Sequence, residues 1–388
     1  MPALHEVVVI GAGPVGATHA LALGSGEIDV VAVDSRPAQT SLRGDRSLAL
    51  SHAARLIFER LGVWSDLAAT PQAVTPIVAI DISQRGGFGT TRLDATEQHL
   101  PALGYVVSYR ALQTSLDAAL ARAGIRVEHG FTVERVSATP PCACVTGARD
   151  GVEESLTCKL AVVADGGGDM VSGIVRHHHD YGRVALVAHV WTREAQRGVA
   201  FERFTPVGPM ALLPEGDHFG LVWTTSVHEA DSLVALPEAQ FLEKLKAAFG
   251  RHAGCFDRVS NRRSFPLFLE FTDRVVGERT VLLGNAAQAL HPVAGQGLNL
   301  GLRDAWELAQ ELLGNPREQM GARAQLDAYA KRRRTDRWAG VAFTHGLLSI
   351  FGNDYALLRW PRGLALTLLD ALPPLKRGFT RAILFGVH

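Results

Sequence analysis

The chain opens on an apolar run, Val7–Ile10, then Gly11-Ala12-Gly13-Pro14-Val15-Gly16, an Ala/Leu-rich stretch to about Leu23, and a second apolar run, Val30–Val33. Short continuous apolar runs between turn signals predict strands buried on both faces, and the stretch between them is long enough for a helix. The order is strand, tight turn, helix, strand, a βαβ unit. Helical patterns are predicted at Ser47–Leu61 and Leu112–Ala123, and a further buried strand at Leu160–Ala164, ending in Asp165-Gly166. These pieces are expected to share one parallel sheet.

Between Tyr181 and Thr225 the pattern shortens to alternating runs, RVALVAHVW, VAFERF, MALLPE and FGLVWTT, separated by Gly and Pro turns. That alternation predicts antiparallel sheet. After Arg279 come a buried strand at Thr280–Leu283, a glycine-rich turn and a helix from about Leu298 to Leu313. The fold class is therefore α/β, with a Rossmann-like nucleotide-binding domain, a mainly antiparallel β-sheet domain and C-terminal helices. The expected boundaries are 1–75, 106–175 and 273–320 for the first, 76–105 and 176–272 for the second, and 321–388 for the C-terminal helical region.

A chain of 388 residues that is 47% hydrophobic can bury a sizeable core in two or three lobes. Lys plus Arg and Asp plus Glu balance at 39 each, so no overall field draws the protein to nucleic acid. The N-terminus shows no basic segment followed by a cleavage site, which predicts a cytoplasmic protein. Cys142, Cys144, Cys158 and Cys255 lack metal-ligand spacing and disulfide density, so thiols are expected. His177–His179 are adjacent and diverge, and no metal site is expected there.

In Gly11-x-Gly13-x-x-Gly16 the first glycine permits the turn, the second lets backbone amides approach a pyrophosphate, and the third lets helix pack on strand. Asp34 ends the next strand, with Ser35 beside it, where a carboxylate would accept from adenosine ribose hydroxyls. The motif alone does not choose between NAD and FAD. The segment Gly284–Ala305 is dense in small residues and then starts a helix. Small residues let a planar ring lie against backbone, and a helix N-terminus stabilises negative charge on a reduced flavin.

Over nearly its whole length the sequence resembles the class A FAD-dependent aromatic monooxygenases of the 4-hydroxybenzoate hydroxylase type, and within them the ubiquinone-biosynthesis branch. The likeness is carried by AFERFTPVGPMALLP at 200–214 and LLGNAAQALHPVAGQGLNLGLRDAWELA at 282–309. It implies that Gly11, Gly13, Pro14, Val15, Gly16, Asp34 and Ser35 hold the ADP half of FAD, and that Arg46 and Arg110 also contact the cofactor. Asp165 matches the middle motif, although the family's terminal arginine is missing from Asp165–Ser172. Asn285 stands where the family has an aspartate beside the ribityl chain. Pro292, Gly295, Gln296, Gly297, Leu298 and Asn299 complete the flavin site, with Pro292, Gly297 and Leu298 at the reacting edge. Phe204, Leu212, Trp223, His291 and Val293 are the expected substrate wall.

The resemblance further implies that NAD(P)H reduces the flavin, that O2 forms a flavin hydroperoxide, and that oxygen passes to a lipophilic phenol, 2-polyprenyl-6-methoxyphenol. Two rivals remain at this stage. One is a hydroxylase of a small soluble aromatic acid, for which Arg203 offers a cation; the other is a non-catalytic flavin-holding scaffold of a ubiquinone-biosynthesis complex. From Gly321 onward there are eleven Arg/Lys against four Asp. A basic amphipathic region of that kind suits peripheral contact with the inner face of a membrane, or with a partner of that complex. A solvated helix packed back on the core fits the pattern equally.

Overall fold

The computed structural model describes residues 4–38, 46–167, 170–194, 197–250, 252–290, 295–351 and 356–386, with backbone alone at 347–351 and 356–359. Strand Leu4–Ile10 pairs in parallel with Val30–Asp34 on one side and Val152–Val163 on the other. Arg126–His129 and Thr280–Leu282 extend the parallel run outward. Val7, Val8 and Val9 are fully buried, which is why this strand reads as a continuous apolar run. One sheet is thus assembled from three separated stretches of chain.

Helix Pro14–Gly24 starts on a proline, whose missing N–H costs nothing in the first turn, and buries every residue from Gly16 to Leu23. It lies between the sheet and helix Gln296–Leu313. His19 Nδ1 donates to the Ala305 carbonyl across that contact at 2.9 Å. Burial pushes the imidazole down to about 4, against the opposing pull of that carbonyl. It stays neutral at physiological pH.

The helix expected over Ser47–Leu61 is corrected. Ser47–Ser51 is a strand paired antiparallel with Gly104–Ser108, and the helix spans His52–Arg60. Ser51 Oγ accepts from the Ala54 N–H, so this serine caps the helix instead of lying inside it.

The second sheet has eight strands, with long arms Arg176–Thr192 and Phe256–Thr272 and the hairpin strands Val199–Phe204, Pro209–Glu215 and His218–Ser226. Most pairs are antiparallel. The exception joins Val199–Phe204 in parallel to Ala79–Gln84, a strand from the earlier part of the chain. Helices Val227–Ala235 and Glu238–Phe249 cover one face, where Leu186, Leu212, Trp223 and Phe241 form a second core.

Helices Arg323–Phe351, Ala356–Ala371 and Pro373–Phe385 close the molecule. A buried ionic network anchors the first of them: Arg333 pairs with Asp304 at 2.7 Å, Arg303 with Asp336 at 3.0 Å, and Arg337 donates to Gln288 at 2.8 Å. Lys376 reaches Glu97 and Asp370. Arg333, Arg337 and Lys376 are thus engaged inside the molecule, while Arg323, Lys331, Arg332, Arg334, Arg377 and Arg381 are exposed.

Candidate active site

The first loop follows the strand Leu4–Ile10. Gly11 takes φ +94°, and a Cβ on Gly16 would stand 1.9 Å from the Gly11 carbonyl oxygen, so neither tolerates a side chain. A Cβ on Gly13 would meet nothing within 4 Å. Open space there adjoins a helix N-terminus with no side-chain cap and no acidic residue in its first turn. Such an end leaves amide donors for an anion.

Asp34 is buried, and its Oδ2 accepts from the Ala12 N–H at 2.8 Å. Arg36, unremarked in the sequence, donates to both Asp34 oxygens and to the Ala12 carbonyl. Burial alone would raise the Asp34 carboxyl, but the Arg36 guanidinium and the Ala12 N–H reverse this and hold it below its ordinary value. Gln113 Nε2 donates to the Ala12 carbonyl from the other side at 2.8 Å. Ser35 follows on the exposed side.

The second loop is pressed against the first helix: a Cβ on Gly301 would lie 2.9 Å from Gly284 Cα and 3.0 Å from Val15 Cγ2. Gly295, Gly297 and Leu298 line a cavity together with Gly13, Pro14 and Val15. Gln296 is buried beside them. Asn299 is buried at the start of helix Gln296–Leu313. Its Nδ2 donates to the Ala49 and Gly295 carbonyls and its Oδ1 accepts from the Ser51 N–H, so the side chain is committed to protein backbone. His291, Pro292 and Val293 lie outside the described residues.

Asp165 and Asn285 face the same cavity. The arginine missing from the middle motif has a counterpart in space. Arg176 donates to the carbonyls of Gly167 and Ala286, at 3.0 Å for the latter, and pairs with Glu270 at 3.0 Å. It ties the Asp165 turn to the Asn285 turn from four residues beyond the expected position.

The cavity has a volume of about 780 Å³. Arg46, with its guanidinium 4.6 Å from the Tyr109 ring centroid, stands at the loop end. Arg110 is exposed and does not line it. The floor is the uncovered face of the second sheet, with Ile82, Glu202, Phe204 and Leu213, and the far wall comes from the C-terminal helices through Phe343, Leu366 and Leu369. Phe204 faces the cavity. Leu212 and Trp223 do not: Ala211, Leu213 and Val222 take the cavity face, and period-two alternation turns their neighbours into the helix-covered core. Arg203 points away as well, donating to Ser83 Oγ at 3.2 Å.

Two glycine loops, two uncapped helix ends and a deep cavity fit a dinucleotide that carries a planar ring, and the comparisons agree. The FAD binding domain family matches residues 5–344. The chain belongs to this family. Among its relatives is the ubiquinone hydroxylase UbiL of Rhodospirillum rubrum, 32% identical over 97% of this chain and 88% of that one. The 3-demethoxyubiquinol 3-hydroxylase of Escherichia coli is 29% identical over 96% of each chain. The p-nitrophenol 4-monooxygenase PnpA of Pseudomonas putida superposes with a TM-score of 0.79 over 99% of this chain and 98% of that one, at 16% identity, a likeness of fold. This FAD-binding family member is accordingly a flavin-dependent enzyme of the monooxygenase class.

Proposed function

We propose that the enzyme hydroxylates a neutral, lipophilic phenol of ubiquinone biosynthesis, of the 2-polyprenyl-6-methoxyphenol type, using NAD(P)H and O2. The observation that carries this reading is the chemistry of the cavity. Its sheet floor is apolar, with Ile82, Phe204 and Leu213, its far wall is built from Phe343, Leu366 and Leu369, and the ionisable group on the floor is an acid, Glu202. A carboxylate substrate needs a cation on the floor; Arg46 lines the cavity beside Tyr109 and not on the sheet floor, and Arg203 is turned away. Burying an unpaired carboxylate beside Glu202 is costly, whereas a prenylated phenol gains from the same surface.

Gly11, Gly13, Gly16, Asp34 and the Gly295–Leu298 turn would hold FAD, which would supply the redox chemistry that links the nicotinamide nucleotide to O2. The chain's own residues contribute position and dryness. The Gly297 and Leu298 amides stand at the N-terminus of helix Gln296–Leu313, where developing negative charge is stabilised. The apolar floor and helical wall exclude water from the ring.

A second observation bears on where the substrate comes from. Trp360, Leu364, Leu368 and Leu372 are exposed at four-residue spacing along one face of the helix Ala356–Ala371 and its end, and Leu375 continues the stripe. Leu366 and Leu369 on another face line the cavity. No helix among the described residues is long and apolar enough to cross a membrane. We read this stripe as a surface that rests on lipid, through which a prenylated phenol reaches the cavity. NAD(P)H oxidation stimulated by 2-prenyl-6-methoxyphenol, with no stimulation by 4-hydroxybenzoate, tests the substrate class.

A further inference from the structure

We propose that Glu202 receives the substrate's phenolic hydroxyl and accepts its proton as the ring reacts. The inference rests on the proposed hydroxylation of a phenol. Glu202 lies mid-strand in Val199–Phe204, opposite Ile82 on one neighbour and Ala211 on the other, and Ala211 pairs on to Val222. All four line the cavity. The carboxyl therefore stands in the middle of an otherwise aliphatic row.

Its Oε1 is sealed from solvent and has no hydrogen-bond partner. A carboxyl oxygen sealed without a partner is destabilising, and the carboxyl as a whole is half-buried and open to the cavity, where a ligand can engage it. The adjacent Arg203 does not neutralise it, because alternation sends that guanidinium to Ser83 on the opposite face. The strands offer Ile82, Ala211 and Val222 towards it, and the helices close the cavity with Phe343, Leu366 and Leu369. None of these titrates; the charged and titratable groups Arg46, Tyr109 and Asp165 line the same cavity with the glycine loops. Burial alone pushes the carboxyl up to about 8. An acid poised there can both bind a neutral hydroxyl and take its proton near neutral pH.

In the step assigned to it, the phenol O–H bond breaks, the proton passes to the Glu202 carboxylate, and the electron pair stays on the phenol oxygen. That pair enriches the ring carbons ortho and para to the oxygen. No electrons are exchanged in this transfer; the inserted oxygen comes from O2 and the reducing electrons from the nicotinamide nucleotide. Glu202 returns the proton to the same oxygen once the ring is hydroxylated.

The test compares FAD-loaded wild type with Glu202→Gln, using 2-prenyl-6-methoxyphenol. In the wild type, kcat should rise with pH through about 8. The variant should lose that limb and about 100-fold or more in kcat, with NADPH consumption continuing uncoupled from product. Equal kcat, equal coupling and the same pH limb in both proteins would overturn the assignment while leaving the hydroxylase reading intact. Absence of hydroxylation in the wild type would instead remove the reading on which it rests. A binding measurement without reductant needs no variant: wild type should bind the phenol about tenfold or more tightly than its O-methyl ether. Equal affinity contradicts a hydroxyl contact at Glu202.

Discussion

Asn299 donates from Nδ2 to the Ala49 carbonyl at 2.9 Å, joining the turn at the start of the late helix to the strand that follows Arg46. With its bonds to Gly295 and Ser51, the amide uses both donors and its acceptor to fix two cavity walls. Asn299→Ala leaves the Ser51 N–H and two carbonyls to find other partners. We expect a loss of about 1–3 kcal/mol. Urea unfolding checks the stability, and flavin absorbance after desalting should show weaker FAD retention.

Gly13 is where added bulk should act on the cofactor and not on the fold. A Cβ there meets no protein atom within 4 Å, in contrast to Gly11 and Gly16. Gly13→Asp places a carboxylate at the uncapped helix end where a pyrophosphate would lie. The expected result is a folded protein with near-native circular dichroism and little bound flavin. Normal flavin content in that variant contradicts the assigned loop.

Much of the nucleotide-binding half was legible in the sequence because its signals are local. The Val7–Ile10 and Val30–Val33 runs, the three glycines and Asp34 all fall within one βαβ unit. Ser47–Ser51 was misread as helix because its identity as a strand depends on Gly104–Ser108, more than fifty residues away. The substrate floor was legible as strands but not as a face: Leu212 and Trp223 are as apolar as Phe204, and only the sheet's neighbours decide which face the helices cover. Glu202 lay in the same alternating run, concealed beside Arg203 as an ordinary charged pair. Arg176 was missed because the expected arginine position is four residues earlier.

Glu202 also gives the fold a pH signature. Its carboxyl is raised from 4.5 to about 8, so between those values the folded chain binds more protons than the unfolded one. Stability therefore falls as pH rises across that window, and the loss is complete above it. Gln at this position carries no such penalty. The melting temperature of Glu202→Gln relative to wild type should be higher at pH 8.5 than at pH 5.5; a pH-independent difference contradicts the buried acid.

The exposed stripe of Trp360, Leu364, Leu368, Leu372 and Leu375 on the C-terminal helices predicts lipid binding that owes more to apolar contact than to charge. Replacing Trp360, Leu364 and Leu368 together by Ser should reduce co-sedimentation with phosphatidylethanolamine/phosphatidylglycerol vesicles several-fold. Raised salt should have a smaller effect than the substitutions. Soluble short-prenyl phenol should still be turned over. Unchanged vesicle binding in the triple variant contradicts the surface.

The most direct test of the account is ¹⁸O2 incorporation by the FAD-loaded protein with NADPH, read by mass spectrometry on 2-prenyl-6-methoxyphenol and, separately, on 4-hydroxybenzoate. The account predicts one labelled oxygen in the prenylated phenol and none in the acid. Label in the acid alone would contradict the lipophilic, anion-excluding cavity, and label in neither would contradict hydroxylation of a phenol by this enzyme.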